Sequence, residues 1–280
     1  AVICWIDFNN DGLPDLVAGN RLYRNIGSGQ FVDITSESGL VIPDNSKGAT
    51  VFDYDGDGLL DLYLLRQSSD TDRGDGAVPW VGDDSGGGEN QLWRNMGAGR
   101  FRDVTSESGA GGGKRESFAA AAFFYDDDHF PDLYIANDFA RNVLLQNRGD
   151  GTFKEITKES GTGDFATSMG VATGDIDNDG KAEIYVANMF SKMGRRIIDH
   201  LSEADYPPGI FEQIQGSCAG NRLYKGAGDG ADREEISEQL GVNDVGWAYA
   251  PAMSDLNGDG WLDLYATTGF LSRDRRKPDG

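Results

Sequence analysis

A nine-residue acidic pattern recurs five times along this 280-residue chain, and the recurrence constrains the fold more than any other feature. The copies read DFNNDGLPDL from Asp7, DYDGDGLLDL from Asp53, FYDDDHFPDL from Phe124, DIDNDGKAEI from Asp175 and DLNGDGWLDL from Asp255, with starts 46, 71, 51 and 80 residues apart. A second motif follows: NRLYRN from Asn20, NQLWRN from Asn90, NVLLQN from Asn142 and NRLYKG from Asn221. A third comes next, a Gly-x-Gly turn and an alternating run: GSGQFVDIT from Gly27, GAGRFRDVT from Gly97 and GDGTFKEIT from Gly149. The fourth copy of that turn, GDGADREEIS from Gly228, has one extra residue and sets Arg233 where the others have Phe. Its strand is expected to be an edge or a bulge.

Each unit holds four short β signals: a small, apolar run before the acidic loop, a run such as Asp61-Leu62-Tyr63-Leu64 after it, the Leu-Tyr/Trp run, and the strand behind the Gly-x-Gly hairpin. Four strands per repeat of about 40–50 residues describe a propeller blade. The expected fold is all-β, a β-propeller of four-stranded blades forming a single domain or fragment over 1–280. Approximate blades are 1–45, 46–115, 116–165, 166–242 and an incomplete 243–280, with further blades expected outside this chain. Gln67 to Glu89 reads as a surface loop. Phe190, Met193, Ile197 and Leu201 lie at helical spacing before Pro207-Pro208-Gly209, which predicts one short amphipathic helix on the rim.

The charge is clustered in the repeats. Of the 47 acidic residues 35 are Asp, and seventeen of those fall within the five loops. Asp excess and a Gly count of 40 favour turns and oxygen-ligand sites over helical surfaces. A formal charge of −22 repels a polyanion, so nucleic acid is not an expected partner. The longest apolar run, Phe118 to Phe124, is far shorter than a membrane span of about 20 residues, and no targeting segment is visible.

Side chains at loop positions 1, 3, 5 and 9, with the carbonyl of position 7, converge when the chain coils around one point, and Gly at position 6 permits the sharp turn. Hard oxygen donors in that number suit Ca²⁺; zinc would call for His or Cys. The candidate ligands are Asp7, Asn9, Asp11, Leu13 and Asp15 in loop 1, and Asp53, Asp55, Asp57, Leu59 and Asp61 in loop 2. Loop 4 supplies Asp175, Asp177, Asp179, Lys181 and Glu183, and loop 5 supplies Asp255, Asn257, Asp259, Trp261 and Asp263. Leu13, Leu59, Lys181 and Trp261 contribute carbonyls. Loop 3 keeps Asp126, Asp128 and Asp132 but has Phe124 for the first ligand and His129 for the Gly, so four calcium sites are expected and the fifth is weak or empty. These are not EF-hands, because position 12 lacks the bidentate Glu and a strand follows. Four sites at tenfold saturation would add roughly 5–6 kcal/mol, comparable with the stability of a domain. Sites of millimolar strength stay filled outside the cytoplasm, which predicts a secreted, surface or periplasmic location.

The D-x-D-x-D-G-x-x-D-L loop in a four-strand repeat resembles the FG-GAP/VCBS repeats of integrin-α-type β-propellers. The triplet of loop, N-R-L-Y-R-N and F-x-D-V/I-T-x-E-S-G is similar, more narrowly, to the ASPIC/UnbV and cartilage-acidic-protein-like group. The resemblance implies a calcium-binding, usually seven-bladed propeller, secreted or on the cell surface, used for binding or adhesion rather than chemistry.

The leading functional reading is therefore a non-catalytic module for a protein or glycan partner. A lectin is one alternative, with Trp80 the best exposed stacking residue and Trp5, Trp93 and Trp247 expected in the core. A polysaccharide-lyase-type propeller is another, and it needs a base and a charge stabiliser in a cleft. Neither His129, in a degenerate loop, nor His200, in the rim helix, suggests one. Arg73-Gly74-Asp75 is a further motif of the long loop. Cys4 and Cys218 read as buried free thiols, with one long-range bridge as the alternative.

Overall fold

The computed structural model describes residues 1–68, 88–206, 209–226 and 232–269. Strands follow one another as antiparallel meanders. The first sheet is β1 (Ile3–Ile6), β2 (Asp15–Ala18), β3 (Arg21–Asn25) and β4 (Phe31–Asp33), hydrogen-bonded in that order. The second is β5 (Ser46–Phe52), β6 (Asp61–Arg66), β7 (Gln91–Asn95) and β8 (Phe101–Asp103). The third is β9 (Glu116–Phe123), β10 (Asp132–Arg141), β11 (Val143–Asn147) and β12 (Phe153–Glu155). Then come β13 (Phe165–Gly174), β14 (Glu183–Asn188) and β15 (Arg222–Tyr224), and finally the pair β16 (Ala248–Ser254) and β17 (Asp263–Thr268). The end of β10 also pairs with the start of β13, which joins the third and fourth sheets.

The sheets stand side by side like blades. First strands neighbour one another in sequence, β1 against β5, β5 against β9, β9 against β13 and β13 against β16. The core is correspondingly divided into seams between blades: Ile6, Phe8, Val17 and Leu22 meet Leu62, Leu64, Trp93 and Phe101, and the next seam joins Tyr54, Tyr63 and Leu92 to Leu133, Leu145 and Phe153. This explains the second-strand composition. Asp-Leu-Tyr-Leu-Leu in β6 is buried on both faces because a blade lies on each side, whereas β2 alternates between buried and half-buried. Each seam buries several large apolar side chains, worth about 1.5–3 kcal/mol apiece.

The recurring polar residues wire the blades. The tyrosine of the second strand donates to a carbonyl beyond the fourth, Tyr63 to Ala110, Tyr134 to Thr162 and Tyr185 to Val242, at 2.7–2.9 Å. The last Asn of the second motif donates twice. Asn95 reaches Leu60 O in its own blade (3.0 Å) and Phe8 O in the preceding one (2.8 Å), and Asn147 likewise reaches Pro131 O (3.2 Å) and Tyr54 O (2.7 Å). The Phe after the Gly-x-Gly turn packs on the same preceding loop, Phe101 on Phe8 at 6.3 Å and Phe153 on Tyr54 at 6.2 Å between centroids.

The fourth blade replaces both residues with one. Gly226 stands where the other copies have Asn, and a Cβ there would lie 2.5 Å from that of Lys181. Arg233, expected on an edge or bulged strand, is instead 4% exposed, and that strand is reduced to a single bridge between Tyr224 and Glu235. Its guanidinium lies 4.7 Å over the Tyr125 ring, taking the place of the Phe. It also donates to Ala182 O (2.7 Å) and Tyr125 O (3.4 Å), the two carbonyls an Asn would serve.

Other expectations are corrected. The rim insertion holds two helices, α3 (Lys192–Ile198) and α4 (Ile210–Gly216), besides four-residue turns after the fourth strands, α1 (Thr35–Ser38), α2 (Thr105–Ser108) and α5 (Ser237–Leu240). Met193 and Ile197 are exposed rather than packed, because α3 approaches through Gly194, where an added Cβ would meet Cys218 Sγ at 2.6 Å. Pro207 and Pro208 lie outside the described residues, as do Trp80 and the Arg73-Gly74-Asp75 motif. His200 lies just past α3. Trp93 is buried as expected, but Trp247 is half-buried and Trp5 is 56% exposed, tilted against Phe31 with centroids 6.2 Å apart. Among the described residues no blade lies against the outer face of β1. Both cysteines are half-buried free thiols. No described helix is long and apolar enough to cross a membrane.

Replacing Arg233 by Ala removes its contacts with the Phe123 and Tyr125 rings across the seam and its hydrogen bonds to Ala182 O, Lys225 O and Tyr125 O, so urea denaturation is expected to show a loss of about 2–4 kcal/mol. Arg233→Lys, which keeps the charge but not the fork, is expected to recover less than half of it.

Candidate metal centre

The acidic loops join first to second strands, so all five lie at the same end of their blades. Loops 1, 2, 4 and 5 share one internal wiring. The first carboxylate accepts from the N–H of position 6: Gly12 to Asp7 (2.9 Å), Gly58 to Asp53, Gly180 to Asp175 and Gly260 to Asp255 (2.8 Å each). Position 5 donates its N–H to the other oxygen of the same carboxylate at 3.1–3.2 Å. Position 5 in turn accepts from position 7, whose residues are Leu13, Leu59, Lys181 and Trp261, at 2.9 Å in every case. Such a coil needs two left-handed residues. Position 4 is one (Asn10, Gly56, Asn178 and Gly258, φ 55–78°), and position 6, always Gly, is the other (φ 80–90°).

Adjacent loops also touch. Asn10 Nδ2 donates to Gly58 O (2.8 Å) and Asn178 Nδ2 to Gly260 O (3.3 Å), while Lys181 pairs with Asp127.

Position 9 is a strut. Asp15, Asp61 and Asp132 are fully buried and Glu183 nearly so. One oxygen of each accepts the N–H of position 2, from Phe8, Tyr54, Tyr125 and Ile176 at 2.8–3.2 Å. The other accepts a third-strand N–H, from Asn25, Asn95, Asn147 and Gly226 at 2.7–2.8 Å. In loop 5, Asp263 accepts from Leu256 at 3.0 Å. Burial pushes the Asp61 and Asp132 carboxyls up to about 7, against the backbone donors that favour the charged form. It also raises Asp15, Asp55 and Glu183, whereas Asp255, held by the N–H of Gly260 and its neighbours, is lowered.

The outer oxygens converge in two loops. Asp53, Asp55 and Asp57 each bring an oxygen within 4.8 Å of the others, and so do Asp175, Asp177 and Glu183. In loop 1 the amide of Asn9 donates to Asp11 (2.9 Å), and Asn257 and Asp259 stand exposed at the corresponding places in loop 5. Loop 3 runs differently. Phe124 is 56% exposed where the first carboxylate would sit, and neither Asp127 nor His129 takes the left-handed conformation of positions 4 and 6. Asp126 and Asp128 keep their bonds to the N–H groups of Asp128 and Phe130.

The sequence reading overlooked the third-strand side chain that reaches back to position 3. Arg94 Nε lies 2.8 Å from Asp55 and its Nη2 donates to Asp57 at 3.2 Å; Lys225 lies 2.9 Å from Asp177, and Gln146 donates to Asp126 at 2.6 Å. The signal was present as the fifth residue of the second motif. An all-oxygen donor set of several converging carboxylates fits a hard divalent cation, and the residues present would hold calcium through Asp53, Asp55 and Asp57, and through Asp175, Asp177 and Glu183.

These loops, set between the first two strands of meander blades, match FG-GAP-like repeats over part of the chain. The FG-GAP-like repeat family profile matches residues 7–64 and 125–186, which take in loops 1, 2 and 4 and all of loop 3 but Phe124. Cartilage acidic protein 1 of Xenopus tropicalis is 27% identical over 173 residues, 49% of this chain and 26% of that protein, so the match spans about a quarter of the relative's length. Among solved structures, the rhamnogalacturonan lyase YesW is similar at a TM-score of 0.41 and 14% identity, over 95% of this chain and 54% of the lyase.

The raised carboxyls set a pH dependence. Asp61 and Asp132 hold protons in the folded chain up to about pH 7 but release them near 4 when unfolded, so without calcium their contribution is complete below about pH 4 and is lost as pH rises through 7. Chelated protein is expected to melt on the order of 5 °C higher at pH 5 than at pH 8. With saturating calcium the order should reverse, because protons then compete with the ion. Differential scanning calorimetry at both pH values reads the sign.

Proposed function

We propose that this chain is an extracytoplasmic, calcium-braced propeller-type module that binds a protein or glycan partner and performs no chemistry of its own. The observation that carries the reading is the identical wiring of four acidic loops. The same carboxylate accepts the same two N–H groups in each, beside a position-5 Asp and a position-3 side chain that is Asp in loops 2 and 4 and Asn in loops 1 and 5. Carboxylates held this close repel one another, and a divalent ion turns that repulsion into attraction. The relation to a protein named for cartilage and the FG-GAP-like repeats support an extracellular setting. Position 9 adds a ligand in loop 4 through Glu183, and we assign Asp15, Asp61 and Asp263 the same second role beside their structural one.

The partner would meet the opposite end of the blades, where second strands turn into third. The longest connections lie there, including α3 and α4. So does a cleft of about 900 Å³ in which Arg115, Arg141, Lys158 and Arg222 are matched by Glu155, Asp164, Glu235 and Glu238. A polar cleft of this kind, with both signs of charge, suits hydrogen-bonding ligands better than apolar ones.

Calcium titration by isothermal calorimetry is expected to give four sites, and millimolar calcium to raise the melting temperature by about 10 °C over chelated protein. Phe124→Asp combined with His129→Gly should restore the coil of loop 3 and bring the count to five. A count that stays at zero in the unmodified chain would remove the proposal's basis.

A further inference from the structure

We propose that Arg94 and Lys225 are tethered cations that compete with calcium for loops 2 and 4, so that the third strand of each blade sets the affinity of its own loop. The inference rests on the calcium reading of the loops and adds residues to it that are not ligands.

Within loop 2 the backbone already claims particular oxygens. Asp53 Oδ1 accepts from Gly56 and Asp57, Asp53 Oδ2 from Gly58, Asp55 Oδ1 from Asp57, and Asp57 Oδ1 from Leu59. The oxygens left over are Oδ2 of Asp55 and Oδ2 of Asp57, and Arg94 sits on both, at 2.8 and 3.2 Å. A cation bridging positions 3 and 5 needs those two atoms. In loop 4 the Lys225 ammonium takes Asp177 Oδ2 at 2.9 Å.

The placement is built in. The third-strand N–H next to each arm is bonded to the position-9 carboxylate, Asn95 to Asp61 and Gly226 to Glu183, so the arm cannot slide along the loop. Loop 3 has lost its first carboxylate to Phe124, and its arm is the neutral Gln146, which donates to Asp126 at 2.6 Å.

A unit positive charge about 6 Å from a divalent ion in a water-like medium weakens binding about tenfold, and salt screens the effect. The arm holds positions 3 and 5 in place when calcium is scarce and yields them when it is abundant.

The test is calcium calorimetry on the full chain at low and high salt. Arg94→Gln is expected to tighten one site about tenfold at low salt and clearly less at 0.5 M salt, leaving the other sites unchanged. Arg94→Lys should stay close to the unmodified affinity. In an Asp53→Asn background, which removes loop 2, Arg94→Gln should alter no site. Lys225→Gln, with Asp175→Asn as its background, repeats the measurement at loop 4 should the Arg94 variant fold poorly. The proposal is overturned if both neutral variants leave affinity unchanged or weaken it while the Asn variants still delete one site each. If the Asn variants delete nothing and no calcium heat appears, the calcium reading fails first and this proposal with it.

Discussion

The fold hangs on a carboxylate that has been taken out of water. At position 9 of each loop an acidic side chain accepts one N–H from the loop and, in the first four blades, another from the third strand. Burying a charge costs free energy unless donors surround it, and two backbone N–H groups cannot fully offset that cost, as the upward push on Asp61 and Asp132 shows. What the strut provides in return is position. It fixes the acidic coil against the third strand of the same blade, and everything that reaches the coil from that strand inherits the registration.

That registration carries the seams between blades as well. Because Asn95 and Asn147 are pinned by their own N–H groups, their side-chain amides reach the carbonyl of the preceding loop at 2.7–2.8 Å. The loop of one blade is thus held by the third strand of the next. Arg233 shows that the constraint is chemical rather than a matter of residue type. With a Cβ excluded at Gly226, one guanidinium from farther along the chain supplies both amide bonds and the aromatic contact. A planar fork of donors with a face that stacks on rings is the side chain able to do all three.

Much of this was legible beforehand because the repeat exposes its own grammar. Meander blades, loop boundaries and the defect of loop 3 follow from spacing, since period-two apolar runs and Gly at position 6 state local geometry directly. What escaped was non-local. Asp61 reads as one more ligand because nothing adjacent in sequence reveals that Tyr54 and Asn95 donate to it. Arg94 goes unnoticed in the second motif for the same reason. Arg233 reads as the mark of a weak edge, yet it is buried, because its partners lie in the preceding blade. The rim insertion misled through its apolar spacing: the contact surface of α3 is Gly194, and the Met193 and Ile197 stripe faces solvent. Periodicity reports which side chains share a face and is silent on whether backbone approach is the tighter packing solution.

The electrostatics of the chain follow from how these layers combine. A charge of −22 concentrated in coils on one end of the blades is self-repulsive, and each coil relieves part of that repulsion internally, through backbone N–H groups on the first carboxylate and a cationic arm on the third and fifth. The relief is incomplete by construction. Arg94 brings one charge to three carboxylates, and Lys225 one to a loop with three Asp and a Glu, so each coil keeps a net negative charge that only an added cation can neutralise. A blade stack wired in this way holds its shape through short hydrogen bonds and apolar seams, yet leaves part of its stability conditional on the ionic composition outside. That is a sensible arrangement where divalent cations are abundant and steady. The third loop, which lacks the first carboxylate, is met instead by the neutral amide of Gln146, which orders Asp126 by a hydrogen bond and leaves the loop's charge unrelieved from that side.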